Sequence, residues 1–407
     1  MRTQIPNGND ITVALYGIYG TYNFGCEAIV RGAQKFIRSI FPDAKIVYYS
    51  YSYDYDKTSL SDLEIEIRPI IQKRSLSKRV INKLCSILGT EHRLFFFDIK
   101  KILEDVDIVL SIGGDIYTIP AVLRENAKYP YYNHLIDFCD IAISLGKQVV
   151  VYGASVGPWG DYLRAVNYYK NNMQKYRMIL CRDKNSVDYL QSLGFSNVMF
   201  FPDPAFLLRA NREDIKKEDK YIGINLSPLS LNELYGDHDE AHMIKIAGII
   251  DSLYQRVKYP LIFLPHVLSN DENDNDLIFM QQVKNKMKYG DLALIADSNN
   301  GFLGLKDQIR KCHIVISARM HCAINALEDN IPTIFLSYSQ KSIGMCEYIY
   351  GCREWVIGLN EVEERLLDTV ESIIEQHDSI VEFLCIRNKE IETDYNSGIK
   401  EVIKRLC

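Results

Sequence analysis

Residues 305–341 read LKDQIRKCHIVISARMHCAINALEDNIPTIFLSYSQK, and the alternation of apolar patterns in this stretch recurs along most of the chain. The β-branched run His313–Ser317 predicts a strand, the apolar spacing over Cys322–Asp329 predicts a helix, and Thr333–Leu336 predicts a second strand. A strand, a helix and a second strand in this order are typical of a parallel α/β sheet, because parallel neighbours need a crossover connection.

The same alternation of short apolar runs and segments of helical period extends over most of the chain. The other predicted strands are Ile11–Tyr16, Ala44–Tyr49, Asp107–Ile112, Gln148–Gly153, Met178–Cys181, Asn197–Phe200, Tyr221–Asn225, Leu261–Pro265 and Leu292–Ile295. The other predicted helices are Glu27–Ser39, Asn133–Leu145, Tyr162–Lys175, Lys184–Leu193, His242–Lys258, Asp276–Lys288 and Leu305–Lys311. We predict an α/β fold with two doubly wound, Rossmann-like lobes that face a cleft.

The pattern is interrupted once, at residues 209–220, where RANREDIKKEDK has charge but no apolar periodicity. Such a segment is typical of an exposed linker. We therefore predict an N-terminal α/β lobe over residues 1–208, a C-terminal α/β lobe over residues 221–360, and C-terminal helices over residues 361–407.

The composition narrows the class of function. The chain has 407 residues, is 47% hydrophobic, and carries 47 basic against 53 acidic side chains, a net charge of 47 − 53 = −6. This acidic excess argues against a general nucleic-acid binder, which needs a basic face to displace counterions from phosphates. A small substrate is the better expectation.

The ten cysteines stand singly, without a Cys-x-x-Cys pair or a Cys/His cluster at zinc-ligand spacing. They indicate reduced thiols in a cytoplasmic protein, and no metal site is expected. The N-terminal sequence lacks the pattern of a secretory signal, and no run of about 18 apolar residues occurs, so we expect a soluble protein.

Arg319 and His321 lie between a predicted strand and a predicted helix, at a strand's carboxyl end and beside a helix N-terminus. Anions bind at such places, and the arginine fork matches a phosphate or carboxylate. The imidazole can exchange protons near neutral pH. The competing interpretation is a surface ion pair for Arg319 and a helix-start hydrogen bond for His321, but the position at the strand end favours a site.

Arg182 has the matching position in the first half, directly after the strand Met178–Cys181. It either faces the cleft or forms a salt bridge to Asp183 or to a neighbouring helix. Asp203 closes the next strand, where it is a turn or cap residue or a direct ligand.

Glycine-rich turns follow two further strands. Residues 17–27, GIYGTYNFGCE, contain Asn23 and Glu27, and Gly113 and Gly114 precede Asp115. Glycines let a ligand approach the backbone, although the spacing matches neither a dinucleotide-binding nor a Walker motif, and a simple turn is the alternative. His266 follows the strand Leu261–Pro265 and either lines the cleft or is a strand-end histidine.

The stretch Leu76–Leu88 combines apolar residues at helical spacing with nearby lysines and arginines. Such a helix can lie on an anionic membrane surface, giving peripheral contact at the inner face of the membrane. A solvated helix on the surface of the protein is the competing interpretation.

From about Val13 to about Ile349 the sequence resembles the polysaccharide pyruvyl transferases. The resemblance rests on an ordered series: Asn23-Phe24-Gly25-Cys26-Glu27, Ser111-Ile112-Gly113-Gly114-Asp115, Tyr152–Pro158, Arg182-Asp183-x-x-Ser186, Asp203-Pro204-Ala205, Arg319-x-His321, and Tyr338 with Lys341. Cys26 departs from the family, which commonly shows Asp beside Glu at this point.

The resemblance implies a fold similar to the GT-B glycosyltransferases and transfer of pyruvate from phosphoenolpyruvate to a sugar as a cyclic ketal. We expect no cofactor besides this donor, and no metal is required if the arginines neutralise its anions. It implies that Arg319 and Arg182 bind the donor, one from each lobe, and that His321 is the acid. The N-terminal lobe would then serve the acceptor and the C-terminal lobe the donor, with Lys341 as a further donor contact. The acceptor would be a carbohydrate of a bacterial surface polysaccharide, such as a capsule or exopolysaccharide, or its lipid-linked precursor.

The chemistry assigns further roles. Protonation of the donor's methylene carbon creates an oxocarbenium-like centre that a sugar hydroxyl attacks, and Asp115 or Glu27 could take the proton of that hydroxyl. Asn23, Gly113, Gly114 and His266 would line the cleft. Two alternatives stay open: a nucleotide-sugar glycosyltransferase on the same fold, and a non-catalytic carbohydrate-binding protein. The acceptor sugar, the ketal stereochemistry and the oligomeric state are not indicated by the sequence.

Overall fold

The chain forms two compact units. The computed structural model describes residues 11–73, 75–88, 90–91, 93–209, 220–236, 239–298, 300–337 and 340–406, with the backbone alone at 233, 340 and 341. The first unit takes residues 11–21, 29–204 and 394–406, and the second takes residues 22–28 and 205–393 of these described ranges. Each unit is an open α/β sheet with its own buried core.

The sheet of the first unit is entirely parallel among the described residues. Its strands are β1 (Thr12–Tyr16), β2 (Lys45–Ser50), β3 (Glu66–Pro69), β4 (Ile108–Ile112), β5 (Gln148–Ala154), β6 (Met178–Cys181) and β7 (Val198–Phe200). The helices between them are α1 (Phe24–Ile40), α2 (Tyr53–Ser59), α3 (Leu76–Ile87), α4 (Ile99–Ile102), α5 (His134–Ser144), α6 (Leu163–Met173) and α7 (Lys184–Ser192). The strand order β3-β2-β1-β4-β5-β6-β7 reverses direction between β1 and β4.

The sheet of the second unit repeats this plan. Its strands are β8 (Tyr221–Asn225), β9 (Leu261–Phe263), β10 (Ala293–Ile295), β11 (Cys312–Ser317), β12 (Thr333–Ser337) and β13 (Val356–Gly358). The helices are α8 (Pro228–Tyr235), α9 (Glu240–Val257), α10 (Asp276–Lys286), α11 (Gly301–Ile309), α12 (Met320–Leu327), α13 (Gln340–Tyr350), α14 (Val362–Glu375) and α15 (His377–Leu406). The order β10-β9-β8-β11-β12-β13 reverses between β8 and β11. In open sheets ligands bind beyond the carboxyl ends of the strands at this reversal, which selects the ends of β8 and β11 as a candidate site.

The predicted fold class, two doubly wound Rossmann-like α/β units, is confirmed. Met178–Cys181 and Tyr221–Asn225 match the predicted strands because both are runs of mostly apolar residues with little exposure. The edge strands β3 and β13 were not predicted. Glu66–Pro69 is polar and only partly buried, and Val356–Gly358 is too short to show a period.

The predicted linker at residues 209–220 connects the two units, and its residues 210–219 lie outside the described residues. The chain also passes between the units at two further points. Residues 22–28, at the start of α1, belong to the second unit, because the Phe24 backbone N–H donates to the His266 carbonyl at 3.0 Å and Asn23 pairs with Val267. The last part of α15 belongs to the first unit, where the Tyr395 ring lies 5.3 Å from that of Phe201.

Candidate active site

The reversal point of the second unit is held together by one buried amide side chain. Asn225, the last residue of β8, accepts the backbone N–H of Arg319 through Oδ1 at 2.8 Å. Its Nδ2 donates to the carbonyl of Leu264 at 2.8 Å, just beyond β9. The hydroxyl of Ser317 donates to the Arg319 carbonyl, also at 2.8 Å. These bonds fix the backbone that leads from β11 into α12.

The guanidinium of Arg319 is oriented by two carboxylates. Its Nε and Nη2 donate to Asp276 Oδ1 at 3.2 and 2.8 Å, and Nη2 donates to Asp274 Oδ1 at 2.7 Å. Within the described part of the chain, no hydrogen bond or ion pair engages Nη1. The side chain is 14% exposed, so one edge of the fork is anchored and the other can meet a ligand.

Burial and the neighbouring carboxylates shift the pKa of Arg319 in opposite directions. Burial alone lowers the pKa of Arg319, but the carboxylates of Asp276 and Asp274 more than offset it, so its pKa lies above the ordinary value. Arg319 is therefore a permanent cation. The alternative prediction was a surface ion pair for Arg319. Arg319 does form ion pairs with Asp274 and Asp276, but the Asp276 carboxylate is fully buried, so this pair does not lie at the surface.

Asp276, which the sequence predicted only as a helix start, is the anchor of this arrangement. Its Oδ2 accepts the backbone N–H groups of His266 and Val267, both at 3.1 Å. Burial raises the pKa of the Asp276 carboxyl, and Arg319 opposes that shift. The acidic run at residues 271–276, DENDND, directly after a strand and its connecting loop, was the available signal in the sequence.

His266 lies behind Arg319 and is 1% exposed. Its Nε2 lies 3.0 Å from Nδ2 of Asn325, which is itself fully buried in α12. Burial first, and then electrostatic interaction with the neighbouring His321 and Arg319, hold the pKa of His266 well below its ordinary range. A neutral, buried imidazole supports the structure around the site and does not line an open surface, so of the two predicted interpretations the strand-end histidine describes it better.

His321 lies in the first turn of α12 and is partly exposed. Gly25 faces its ring closely: a Cβ placed on Gly25 would lie 2.6 Å from Nδ1 and 2.8 Å from Cγ of the imidazole. Only a residue without a side chain leaves this space. The motif around Gly25, far away in the sequence, therefore contacts the imidazole that we predict to be the acid.

Asn23 and Glu27 flank this contact in the second unit. Oδ1 of Asn23 accepts the backbone N–H groups of Gly25 at 2.9 Å and Cys26 at 3.3 Å, which caps the start of α1. Oε2 of Glu27 accepts the N–H of Phe302 at 3.3 Å in the first turn of α11, and Glu27 is 1% exposed. Both side chains thus hold helix N-termini in place around the site.

Arg182 occupies the corresponding position in the first unit and is 2% exposed. Its Nε donates to Ser155 Oγ, its Nη1 to Asp203 Oδ2 and its Nη2 to Asp115 Oδ1, each at 3.0 Å. Burial alone lowers the pKa of Arg182, and the carboxylates of Asp115 and Asp203 outweigh it, so its pKa is raised. The predicted partner Asp183 instead accepts the backbone N–H of Ser186 and caps α7.

The glycine pair in front of Asp115 makes room for this network. A Cβ on Gly114 would lie 3.0 Å from both Nη1 and Nη2 of Arg182. Gly113 has φ +146°, a conformation that favours glycine. The side chain of Asp115 is 48% exposed, whereas that of Asp203 is fully buried. Arg182 therefore forms ion pairs with one accessible and one inaccessible carboxylate.

Lys341 and Tyr338 are the remaining predicted positions. Lys341 lies in the first turn of α13, but its side chain falls outside the described residues, as does Tyr338 altogether. No group of three or more histidine, cysteine or acidic side chains among the described residues could hold a metal ion.

Fold and site together define a class: two parallel α/β units of the type found in GT-B enzymes, with an arginine and a histidine at the reversal point of the second sheet. A sequence model of the polysaccharide pyruvyl transferase family matches residues 23–340. The chain belongs to this family, and with it to the transferases of polysaccharide biosynthesis.

A curated relative and two solved structures give the wider context. The amylovoran biosynthesis protein AmsJ of Erwinia amylovora is 22% identical over 326 residues, which is 73% of this chain and 74% of AmsJ. The UDP-GlcNAc 2-epimerase of Neisseria meningitidis bound to UDP-GlcNAc is similar with a TM-score of 0.59 and 12% identity, covering 97% of this chain and 99% of the epimerase. HepE of Anabaena in complex with UDP-glucose has a TM-score of 0.59 and 10% identity over the same shares. These two likenesses concern the fold alone.

Proposed function

We propose that this protein transfers pyruvate from phosphoenolpyruvate to two hydroxyls of a sugar in a surface polysaccharide or its lipid-linked precursor, forming a cyclic ketal and releasing phosphate. The main support for the proposal is the arrangement of two side chains at the start of α12, in a chain that belongs to this family. There Arg319 has an anchored Nε/Nη2 edge, and the imidazole of His321 follows two residues later.

The donor carries a phosphate and a carboxylate, and Arg319 offers it Nη1 together with the N-terminal end of α12. Because Asp274 and Asp276 already neutralise the guanidinium, the site needs further positive charge to hold such an anion. The helix N-terminus contributes a partial charge, and a protonated His321 contributes a full one. Lys341 is the predicted additional cation.

The acid in the proposed reaction is His321. Its proton goes to the terminal methylene carbon of the donor, the carbon–carbon double bond supplies the electron pair, and the central carbon becomes oxocarbenium-like. A first sugar hydroxyl adds to that carbon and loses its proton. Phosphate then leaves with the electrons of its carbon–oxygen bond, and a second hydroxyl closes the ring and loses its proton. Positioned general acids contribute roughly 10² to 10⁴ in rate.

Of the two predicted bases, Asp115 has the more accessible carboxylate. Its side chain is 48% exposed and Oδ1 accepts from Arg182, whereas Glu27 is 1% exposed and bound to the start of α11. The contacts of Arg182 support a role in holding Asp115 and Asp203 in place. Direct binding of the donor by Arg182 stays a prediction.

Release of phosphate from phosphoenolpyruvate tests the proposal, measured with a panel of bacterial glycans and lipid-linked glycan intermediates as acceptors. We expect release that depends on the acceptor and is lost in His321→Ala. Wild-type turnover in His321→Ala would remove the acid from the scheme. Release that needs no acceptor would argue against transfer.

A nucleotide-sugar glycosyltransferase is the second candidate, because the epimerase and HepE structures of similar fold are complexes with UDP-sugars. Thermal shift separates the two candidates, since a ligand stabilises the folded state that binds it. We expect phosphoenolpyruvate to raise the melting temperature of the wild type and not of Arg319→Ala. Stabilisation by UDP-glucose or UDP-GlcNAc alone would favour the second candidate.

A further inference from the structure

The helix α3 is packed with its polar side toward the protein. Lys78 donates through Nζ to the carbonyl of Phe95 at 2.6 Å. Asn82 donates to the Leu94 carbonyl at 2.9 Å and accepts the Leu94 N–H at 2.7 Å. None of the residues of this helix is buried. An ordinary surface helix turns its apolar face inward, so α3 is inverted.

The opposite side of the helix is apolar and faces solvent. Its exposed members, with relative exposures between 43% and 80%, are Leu76, Val80, Ile81, Leu84, Ile87 and the following Leu88. They recur at spacings of three and four residues, which places them along one face of the helix. A contiguous exposed apolar face of this kind is typical of an interaction surface.

The charges around the apolar face have one sign. Residues 70–88 contain five basic and no acidic side chains, although the chain as a whole carries −6. Lys73, Arg79 and Lys83 are exposed, Lys78 is bound to the Phe95 carbonyl, and Arg74 lies outside the described residues. The cations therefore border the apolar face where they can meet a negative surface.

We propose that α3 docks this protein on an anionic membrane surface, with the apolar face inserted at the boundary of headgroups and acyl chains and the cations among the headgroups. Amphipathic helices with basic polar rims bind membranes in this way. No helix in the described ranges has the length and apolar character to cross a bilayer. A second copy fits the surface less well, because a two-fold contact through this face would bring the exposed Lys73, Arg79 and Lys83 of one copy against those of the other.

Co-sedimentation with vesicles tests the proposal on the full chain. We expect binding to vesicles of phosphatidylcholine with phosphatidylserine, weakened by salt, and much less binding to phosphatidylcholine alone. Leu84→Ser with Ile87→Ser should weaken the binding by about tenfold or more, since each change removes several carbons that the docked helix would insert into the membrane. Both side chains are more than half exposed, at 51% and 72%, so the fold should tolerate the change.

Matched variants separate docking from general surface effects. Leu163→Ser with Val122→Ser removes two comparably exposed apolar side chains, 73% and 65%, elsewhere in the first unit and should leave binding unchanged.

Charge is tested in the same way. Arg79→Gln with Lys83→Gln should weaken binding about 25-fold, at about fivefold per cation, while Lys100→Gln with Lys101→Gln should have a smaller effect.

Three results would overturn the proposal: equal binding to both vesicle types, binding unaffected by the α3 variants, or no vesicle binding together with a self-association that Leu84→Ser with Ile87→Ser abolishes. The last result would assign the face to a second copy. Vesicle binding needs no turnover, so failure here leaves the proposed reaction untouched, and failure of the reaction leaves docking untouched.

Discussion

Gly25→Ala is the substitution that most specifically displaces the imidazole of the proposed acid. The new Cβ would lie 2.6 Å from Nδ1 and 2.9 Å from Cβ of His321, against an ordinary contact limit of 3.4 Å. The differences, 3.4 − 2.6 = 0.8 Å and 3.4 − 2.9 = 0.5 Å, give the distance by which the His321 side chain must move. A displacement of this size at a reacting group can lower the rate by roughly 10 to 100-fold.

The same change acts on the stability of the fold in two opposing ways. Gly25 lies in α1 without a positive φ, so alanine suits the backbone and favours the helix by about 0.5–1 kcal/mol. The overlap with Cγ and Cβ of His321, which lie close to the backbone of α12, costs about 1–3 kcal/mol and outweighs that gain. We therefore expect a folded variant with a lower melting temperature and much slower phosphate release from phosphoenolpyruvate with acceptor.

Gly248→Ala is the matched control, because Gly248 also lies within a helix, α9, and an added Cβ there meets nothing within 4 Å. It should have the same gain in helix propensity without any overlap, and therefore an unchanged or slightly higher melting temperature and full activity. A folded Gly25→Ala protein with wild-type turnover would refute the placement of His321 at the reacting atoms.

Three further predictions concern the surrounding network. Arg319→Ala should lower the free energy of unfolding by about 3–5 kcal/mol in denaturant titrations, because it leaves the Asp276 carboxylate buried without its cation; Arg319→Lys should retain more of that stability yet lose the stabilisation by phosphoenolpyruvate, since lysine lacks the planar fork. Because the folded-state pKa of His266 lies well below its unfolded value, the stability it contributes is present above about pH 6.5 and is lost as the pH falls, with a slope of up to about 1.4 kcal/mol per pH unit. Urea midpoints of His266→Gln should therefore depend less steeply on pH between about 5 and 6.5 than those of the wild type, and an equal slope would contradict the neutral imidazole. Gly114→Ala should displace the guanidinium of Arg182, which an added Cβ would meet at 3.0 Å, and should slow turnover while the protein stays folded, as circular dichroism can check.

The sequence predicted the parts of this molecule that depend on local pattern. Buried strands such as Tyr221–Asn225 are short apolar runs between turn residues, and their order along the chain defines the fold class. Arg319 and His321 could be placed because each lies directly after a strand and at the start of a helix. These are properties of neighbouring residues, which a single sequence displays.

Long-range partners could not be predicted in the same way. Asp274 and Asp276 bind a guanidinium 45 and 43 residues away, and the acidic run in which they lie does not indicate which residue is their partner. Gly25 and His321 are separated by 321 − 25 = 296 positions. The sequence also did not predict that residues 22–28 belong to the second unit. The boundary lies inside α1, and the helical pattern continues across it without a break.

The central claim is that His321 protonates the methylene carbon of phosphoenolpyruvate during transfer to a sugar. Mass spectrometry of the glycan product after reaction in D₂O tests it most directly. We predict a pyruvyl ketal whose methyl group carries one deuterium, formed with one phosphate released per ketal, and neither product in His321→Gln. A glycan that gains no pyruvyl group while phosphoenolpyruvate stays intact, or equal labelling by His321→Gln, would contradict the claim.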